Sequence, residues 1–148
     1  MTKALRNFER SLPMTLLQTR EAVMKQFIPS LKEHGLTPQQ WRVIRALEHE
    51  SDLDISTLAQ RCYLLMPSIS RIITHLDKEK LIERKVGDTD QRRSKISLTP
   101  AGNELFAKVA PESIKRYVAI EEKFGTRKLE LLYELLDDLI KTLDENES

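Results

Sequence analysis

Apolar residues recur at three- and four-residue spacing along most of this chain, and only one short region alternates. Over residues 13–34, Leu16, Leu17, Met24, Phe27, Ile28 and Leu31 fall at roughly helical intervals and Gly35 supplies a stop, so the pattern predicts one long first helix. Upstream, Leu5, Phe8 and Leu12 fit a short amphipathic turn or two, and Pro13 suits a first helical turn, where its missing N–H is not needed. LTPQQWRVIRALEHE sets Thr37 as N-cap and Pro38 at the first helical position, with Trp41, Ile44 and Leu47 on one face of a second helix reaching about residue 49. Ser56 reads as the N-cap of a short helix, TLAQRCYL. After a tight connection, a helix over residues 67–80 opens at Pro67 and turns Ile69, Ile72, Ile73 and Leu76 inward.

Beyond this helix-turn-helix candidate the period changes. LIERKV and SKISLT alternate, with Leu81, Ile96 and Leu98 among the inward positions, and they flank the polar GDTDQRR, which predicts a hairpin with a long tip. Thr99 and Pro100 restart helix as N-cap and first position, and the segment continues to about residue 122 with Pro111 expected to kink or interrupt it. Gly125 and Thr126 mark a break before a final helix whose Leu129, Leu132, Leu136, Leu139 and Leu143 follow a heptad-like 3, 4, 3, 4 spacing. A helix-turn-helix followed at once by a hairpin is the winged-helix arrangement. The expected fold class is therefore mainly α: a winged helix-turn-helix with a two-stranded β wing and N- and C-terminal dimerisation helices. A monomer could bury the leucine stripe internally, but both ends of the chain are helical and apolar on one side, which favours a homodimer in which both termini pair.

Composition narrows the class. With 40% hydrophobic and 32% charged residues the chain has the balance of a soluble globular protein rather than a disordered one. MTKALRNFERSLPM carries charges throughout and no eighteen apolar residues run together, so neither signal peptide nor membrane span is expected, and the expected location is the cytoplasm. The single cysteine, Cys62, allows no internal disulfide or cysteine-based cluster, and three scattered histidines have no ligand spacing, so neither metal nor cofactor is expected. The formal net charge of +1 hides an uneven distribution. Residues 55–99 hold nine Lys or Arg against five Asp or Glu, whereas residues 100–148 hold seven against eleven. Segment charges of that size also occur on ordinary solvated surfaces, so they gain meaning only from the elements that carry them.

On the predicted second helix of the helix-turn-helix, Ser68, Ser70, Arg71, Thr74 and His75 lie opposite the isoleucines. Arg71 suits a guanine edge or a phosphate, and the hydroxyls suit bases or phosphates near the helix N-terminus, though a plain solvated face would have the same composition. Arg92 at the hairpin tip suits the narrow minor groove, with Asp90 able to hold it pointed, while Arg93 and Lys95 suit phosphates. A surface loop in which Asp90 and Arg92 only pair with each other is the bland alternative.

LAQRCYLLMPSISRIITHLDKEKLIERKVGDTDQRRSKISLTPAG, residues 58–102, resembles without a gap the core of the MarR family of winged-helix regulators, whose pattern runs from LA through a Ser/Thr-rich recognition helix to GL, D-x-R and LTPAG. The resemblance implies a single domain over residues 1–148, with residues 37–99 as the DNA-binding winged helix-turn-helix and residues 1–34 and 100–148 as helices of an obligate dimer. It also implies that Asp90 and Arg92 are the wing pair, and that Ser68, Ser70 and Arg71 lie on the recognition helix. One departure stands out: Lys80 replaces the usual glycine in KEKLIER, so it must either accept a left-handed conformation or end the helix differently.

LLQTREAVM and LTPQQWRVIRALEHE are similar to the branch of that family that represses degradation of homoprotocatechuate and hydroxyphenylacetates. This implies a repressor of an aromatic-acid catabolic operon, released from a palindromic operator by an acid such as 4-hydroxyphenylacetate or 3,4-dihydroxyphenylacetate. Such a ligand needs a planar apolar slot and a cation. Trp41 offers a ring surface, Met24 an adaptable wall, Arg20, Arg42 or Arg45 the guanidinium, and His34 a weaker polar partner. The competing reading makes Trp41 core and the arginines surface or inter-helix pairs. Rival functions are a sensor of another phenolic ligand, an oxidant sensor through Cys62, a non-specific architectural DNA binder, and an enzyme of small aromatic acids. The last lacks a glycine-rich phosphate loop, a metal set and a nucleophile beside a base, so enzymatic activity is not expected.

Overall fold

Several helices in this chain begin where a side-chain oxygen takes up a free backbone N–H. The computed structural model describes residues 4–86 and 94–145. After a 3-10 turn at Phe8–Arg10, Ser11 accepts from the Met14 N–H at 3.4 Å and opens α1, Leu12–Met24, with Pro13 in its first turn. The long first helix expected over residues 13–34 is two helices, because α2 is a separate Ile28–Glu33. Between them the Gln26 and Phe27 N–H groups turn to carbonyls three residues back, Val23 (3.0 Å) and Met24 (2.9 Å), and Pro29 has no N–H with which to continue the ladder. The restart points Phe27, Ser30 and Leu31 into the core.

A complete capping box opens α3, Pro38–His49: Gln40 N–H donates to Thr37 Oγ1 (3.1 Å) and Thr37 N–H to Gln40 Oε1 (3.0 Å). The N-cap of α4, Ile55–Cys62, is Asp54 and not Ser56; its carboxylate accepts from the Thr57 N–H at 2.8 Å, and a negative charge suits the positive end of the helix dipole. The next helix, α5, runs Met66–Lys78 rather than to residue 80, and buries Ile69, Ile73 and Leu76 with Ile72 half-buried. Strands β1, Ile82–Lys85, and β2, Lys95–Leu98, pair antiparallel with Ile82 opposite Leu98 and Lys85 opposite Lys95. Ile96 is buried as expected, but the inward position of β1 is Ile82; Leu81 precedes the strand and is half-buried, as is Leu98.

α6, Pro100–Phe124, runs through Pro111 without the expected interruption. Gly125, at φ +106, separates it from α7, Thr126–Glu145. The described residues form two compact units divided after Pro111. In the first, α3 packs on α2, α4, α5 and β2, so Val43, Ile44, Leu47, Leu58, Ile69 and Ile73 share one core. Each such side chain contributes roughly 1.5–3 kcal/mol by leaving water. In the second, α7 buries no residue and Ser113 of α6 is buried. Among the described residues no helix is long and apolar enough to cross a membrane.

Candidate nucleic-acid interface

The buried stripe of α5 determines which residues face outward. With Ile69, Ile73 and Leu76 in the core, Ser70, Arg71, Thr74 and His75 are exposed and Ser68 is half-buried. These outward residues fall in rows four apart, and two of them bend back on their own helix: Thr74 Oγ1 donates to Ser70 O (2.9 Å) and Arg71 Nε to Pro67 O (3.4 Å). The arrangement is a short polar helix face carrying one cation, one imidazole and hydroxyl groups, on a helix anchored along its opposite side.

The junction between α5 and the hairpin is tied by backbone. Lys80 takes the left-handed conformation, φ +61, that the missing glycine would have eased. Its N–H donates to Asp77 O (2.9 Å) and that of Leu81 to Leu76 O (2.9 Å), the paired bonds of a Schellman cap. Thr99 then joins this exit to α6. Its Oγ1 donates to Lys80 O (2.7 Å) and accepts from the Gly102 N–H (3.1 Å), while its N–H donates to Leu81 O (3.0 Å). Gly102 lies so near that a Cβ there would stand 2.2 Å from Leu81 O. On the other side of the hairpin, Leu53 and Ile96 exchange backbone bonds of 3.1 and 2.7 Å, and Asp52 and Ser97 are joined twice, Asp52 N–H to Ser97 Oγ (3.1 Å) and Ser97 Oγ–H to Asp52 Oδ1 (2.6 Å). Arg84 of β1 reaches Asp77 of α5 at 4.0 Å. Lys95 is exposed at the start of β2; Asp90, Arg92 and Arg93 lie outside the described residues.

The effector candidates lie on α1, α2 and α3. Trp41 is buried and stacks on Phe106 of α6, ring centroids 5.4 Å apart and planes at 19°. Met24 is half-buried at the end of α1, and His34 is the half-buried C-cap of α2. Arg20 is exposed and 3.8 Å from Glu21; Arg45 is exposed on α3. Arg42 is half-buried and donates from NH1 to Cys62 O (2.9 Å), which ties α3 to the last carbonyls of α4. Burial, and then the neighbouring positive charge of Arg20, pull Arg42 below its ordinary value, with the Cys62 sulfur opposing. Cys62 itself is buried, its thiol 3.9 Å from Arg42 O, and burial pushes the thiol up despite Arg42. A thiol held protonated is a poor redox nucleophile, which counts against oxidant sensing through Cys62.

Residues 34–93 match the model of the MarR family. The HTH-type transcriptional regulator FarR of Neisseria gonorrhoeae is 42% identical over 134 residues, which are 90% of this chain and 92% of that protein. The chain belongs to the MarR family. A second MarR-type relative, the homoprotocatechuate degradative operon repressor of Escherichia coli, is 38% identical over 130 residues, 88% of each chain. The crystal structure of NadR in complex with 4-hydroxyphenylacetate matches with a TM-score of 0.77 and 39% identity, over 93% of this chain and 97% of that one.

For a MarR protein, the tip end of the hairpin ladder carries more than sequence reasoning found. Lys85 and Lys95 face each other across the ladder, with the Glu83 carboxylate 3.9 Å from Lys85 Nζ, and only the strand register reveals the lysine pair. Phe106, 65 positions after Trp41 in the chain, had no local signal linking the two rings. Nor did Thr99 and Gly102 signal, beyond the family motif itself, that they clasp the exit of α5.

Proposed function

We propose that the chain is a sequence-specific repressor of an aromatic-acid catabolic operon of the homoprotocatechuate or hydroxyphenylacetate type, bound as a homodimer to a palindromic operator and released by an aromatic acid. The observation that carries this is the exposed polar face of α5, held opposite a fully buried stripe beside a hairpin whose last strand pair before the tip sets Lys85 against Lys95. The relatives give the reading its chemistry, one being a homoprotocatechuate operon repressor and the other a protein crystallised with 4-hydroxyphenylacetate.

In this reading residues 37–99 are the DNA-binding part of a single MarR-type domain. Ser68, Ser70, Arg71, Thr74 and His75 enter the major groove; Arg92, braced by Asp90, reaches the minor groove; Arg93 and Lys95 grip phosphates. Residues 1–34 and 100–148 form the dimer. Exposed apolar side chains on α1 (Leu12, Leu16, Leu17) and α7 (Leu135, Ile140, Leu143) support that assignment, since a lone chain leaves them in water. The acid, 4-hydroxyphenylacetate or 3,4-dihydroxyphenylacetate, sits near α1 and α3 with its carboxylate on Arg20 and its ring toward Trp41, while Met24, His34, Arg42 and Arg45 complete the surroundings. A ligand that favours the dimer geometry with mismatched recognition helices weakens DNA binding through a coupling of about 1–3 kcal/mol, roughly 5- to 150-fold.

The test is a mobility titration of the intact chain on the duplex upstream of its own gene, with a panel of phenylacetates and cinnamates. Specific retardation reversed by 4-hydroxyphenylacetate is expected. Binding without sequence preference, or a complex indifferent to every acid, overturns the reading.

A further inference from the structure

The turn between α4 and α5 carries apolar side chains that the fold does not cover: Tyr63 is 91% exposed, Leu65 78% and Met66 44%. Two of these occupy positions where the backbone favours other residues. Tyr63 holds φ +54 at the end of α4, with its N–H on Gln60 O (3.2 Å) and the Leu64 N–H on Ala59 O (3.0 Å), a cap that glycine closes without strain. Leu65 is the N-cap of α5 and makes no side-chain cap, where Ser, Thr, Asp or Asn would bond a free N–H. Neither side chain recovers the loss by burial within the chain, so their use lies outside it.

The occupant follows from what the patch adjoins. Met66 heads the outward row that continues, at four-residue spacing, through Ser70 and Thr74, and Pro67 heads the row of Arg71 and His75. The patch is therefore continuous with the face assigned to the major groove. Base edges in that groove are polar except for one group, the 5-methyl of thymine. A second copy of the chain fits less well, because the broad apolar faces belong to α1 and α7 whereas this patch is small and runs directly into Arg71.

We infer that Leu65 and Met66 read thymine methyl groups in each operator half-site, the Tyr63 ring extending the same apolar surface; this rests on α5 being the recognition helix. The exposed methyl and thioether surfaces then exclude water from a pyrimidine methyl, while the polar rows behind them hold register.

The experiment selects binding sites for the intact protein from a random-sequence duplex pool and remakes the selected site with deoxyuridine in place of one thymidine at a time, which removes a methyl group and nothing else. At least one position in each half-site should lose about 3- to 10-fold in affinity, the range expected for uncovering one methyl. The double variant Leu65→Ser, Met66→Ala should bind the thymidine and deoxyuridine duplexes equally; the new serine restores an N-cap, and circular dichroism checks that it folds. Selected half-sites without thymine, no deoxyuridine effect above about twofold, or an effect that persists in the double variant would overturn the inference while leaving sequence-specific binding intact. Failure to select any site overturns it together with the proposed function. A double variant with unaltered DNA preference but changed dimer mass assigns the patch to a second copy and also overturns it.

Discussion

Lys80 stands in the left-handed region, φ +61, with its side chain exposed, so the strain there is not offset by packing. Lys80→Gly is expected to stabilise the fold by about 0.5–1 kcal/mol, read as a higher thermal midpoint, and unchanged stability would show that the cap tolerates lysine. The departure from the family pattern was visible in the sequence, and so were the two conformational options; the left-handed one is held by the Schellman bonds and by Thr99, which donates to Lys80 O and Leu81 O from across the hairpin. Cys62 gives a pH-dependent expectation. Its thiol is raised by burial, so the native state keeps the proton after the unfolded chain has lost it. The associated stability is present below the ordinary thiol range and is lost as pH rises through and above it. Urea unfolding at stepped alkaline pH should therefore show a decline that Cys62→Ala lacks, and alkylation of the native protein at pH 8 should be slow. Burial of Cys62 was legible from its place in the helix-turn-helix. Its carbonyl's bond to Arg42 was not, because the partners are twenty residues apart and nothing local marks them.

Between elements, Gly102 fits closely against Leu81. A methyl group 2.2 Å from a carbonyl oxygen cannot be accommodated without moving α6 or the start of the wing. Gly102→Ala is expected to destabilise by about 1–3 kcal/mol in urea unfolding. A change below the measurement error would mean that the two elements separate freely. Element boundaries were legible where signals lie within one turn, as with Thr37, Pro38 and Gln40, or Thr99 and Pro100. They were less so where two good caps compete: Asp54 and Ser56 both suit an N-cap, and the chain's return from the Leu53 bridge to β2 decides for Asp54. The break between α1 and α2 was masked because apolar spacing continues across it, although Pro29 marked the place. Pro111 does not interrupt α6, since one missing N–H does not end a 25-residue helix.

At the scale of the whole molecule, near-neutrality is an average of a basic middle segment and an acidic C-terminal one. Reading and sensing should accordingly fail separately. Arg92→Ala is expected to lower operator affinity at least about tenfold with the dimer intact by sedimentation, and unchanged affinity at physiological salt would remove the wing from the interface. Arg20→Ala should leave operator affinity alone but raise the acid concentration needed for release by roughly tenfold, the loss of one charge-assisted contact. A normal dose response would acquit Arg20 as the carboxylate partner. The overall architecture was readable because helical period, alternation and punctuation agreed along most of the chain; the proposed effector residues were less so, because residues brought together from several helices leave no periodic trace. The ties around α5, from Thr99 to Lys80, from Leu53 to Ile96 and within the Schellman cap, run through backbone atoms and a few short side chains, none of them on the outward rows of α5. If α5 reads DNA as proposed, DNA preference is therefore portable: exchanging its outward positions with those of a relative should carry that relative's operator along and leave the scaffold unchanged, so that new wiring of a regulatory circuit requires no new protein fold.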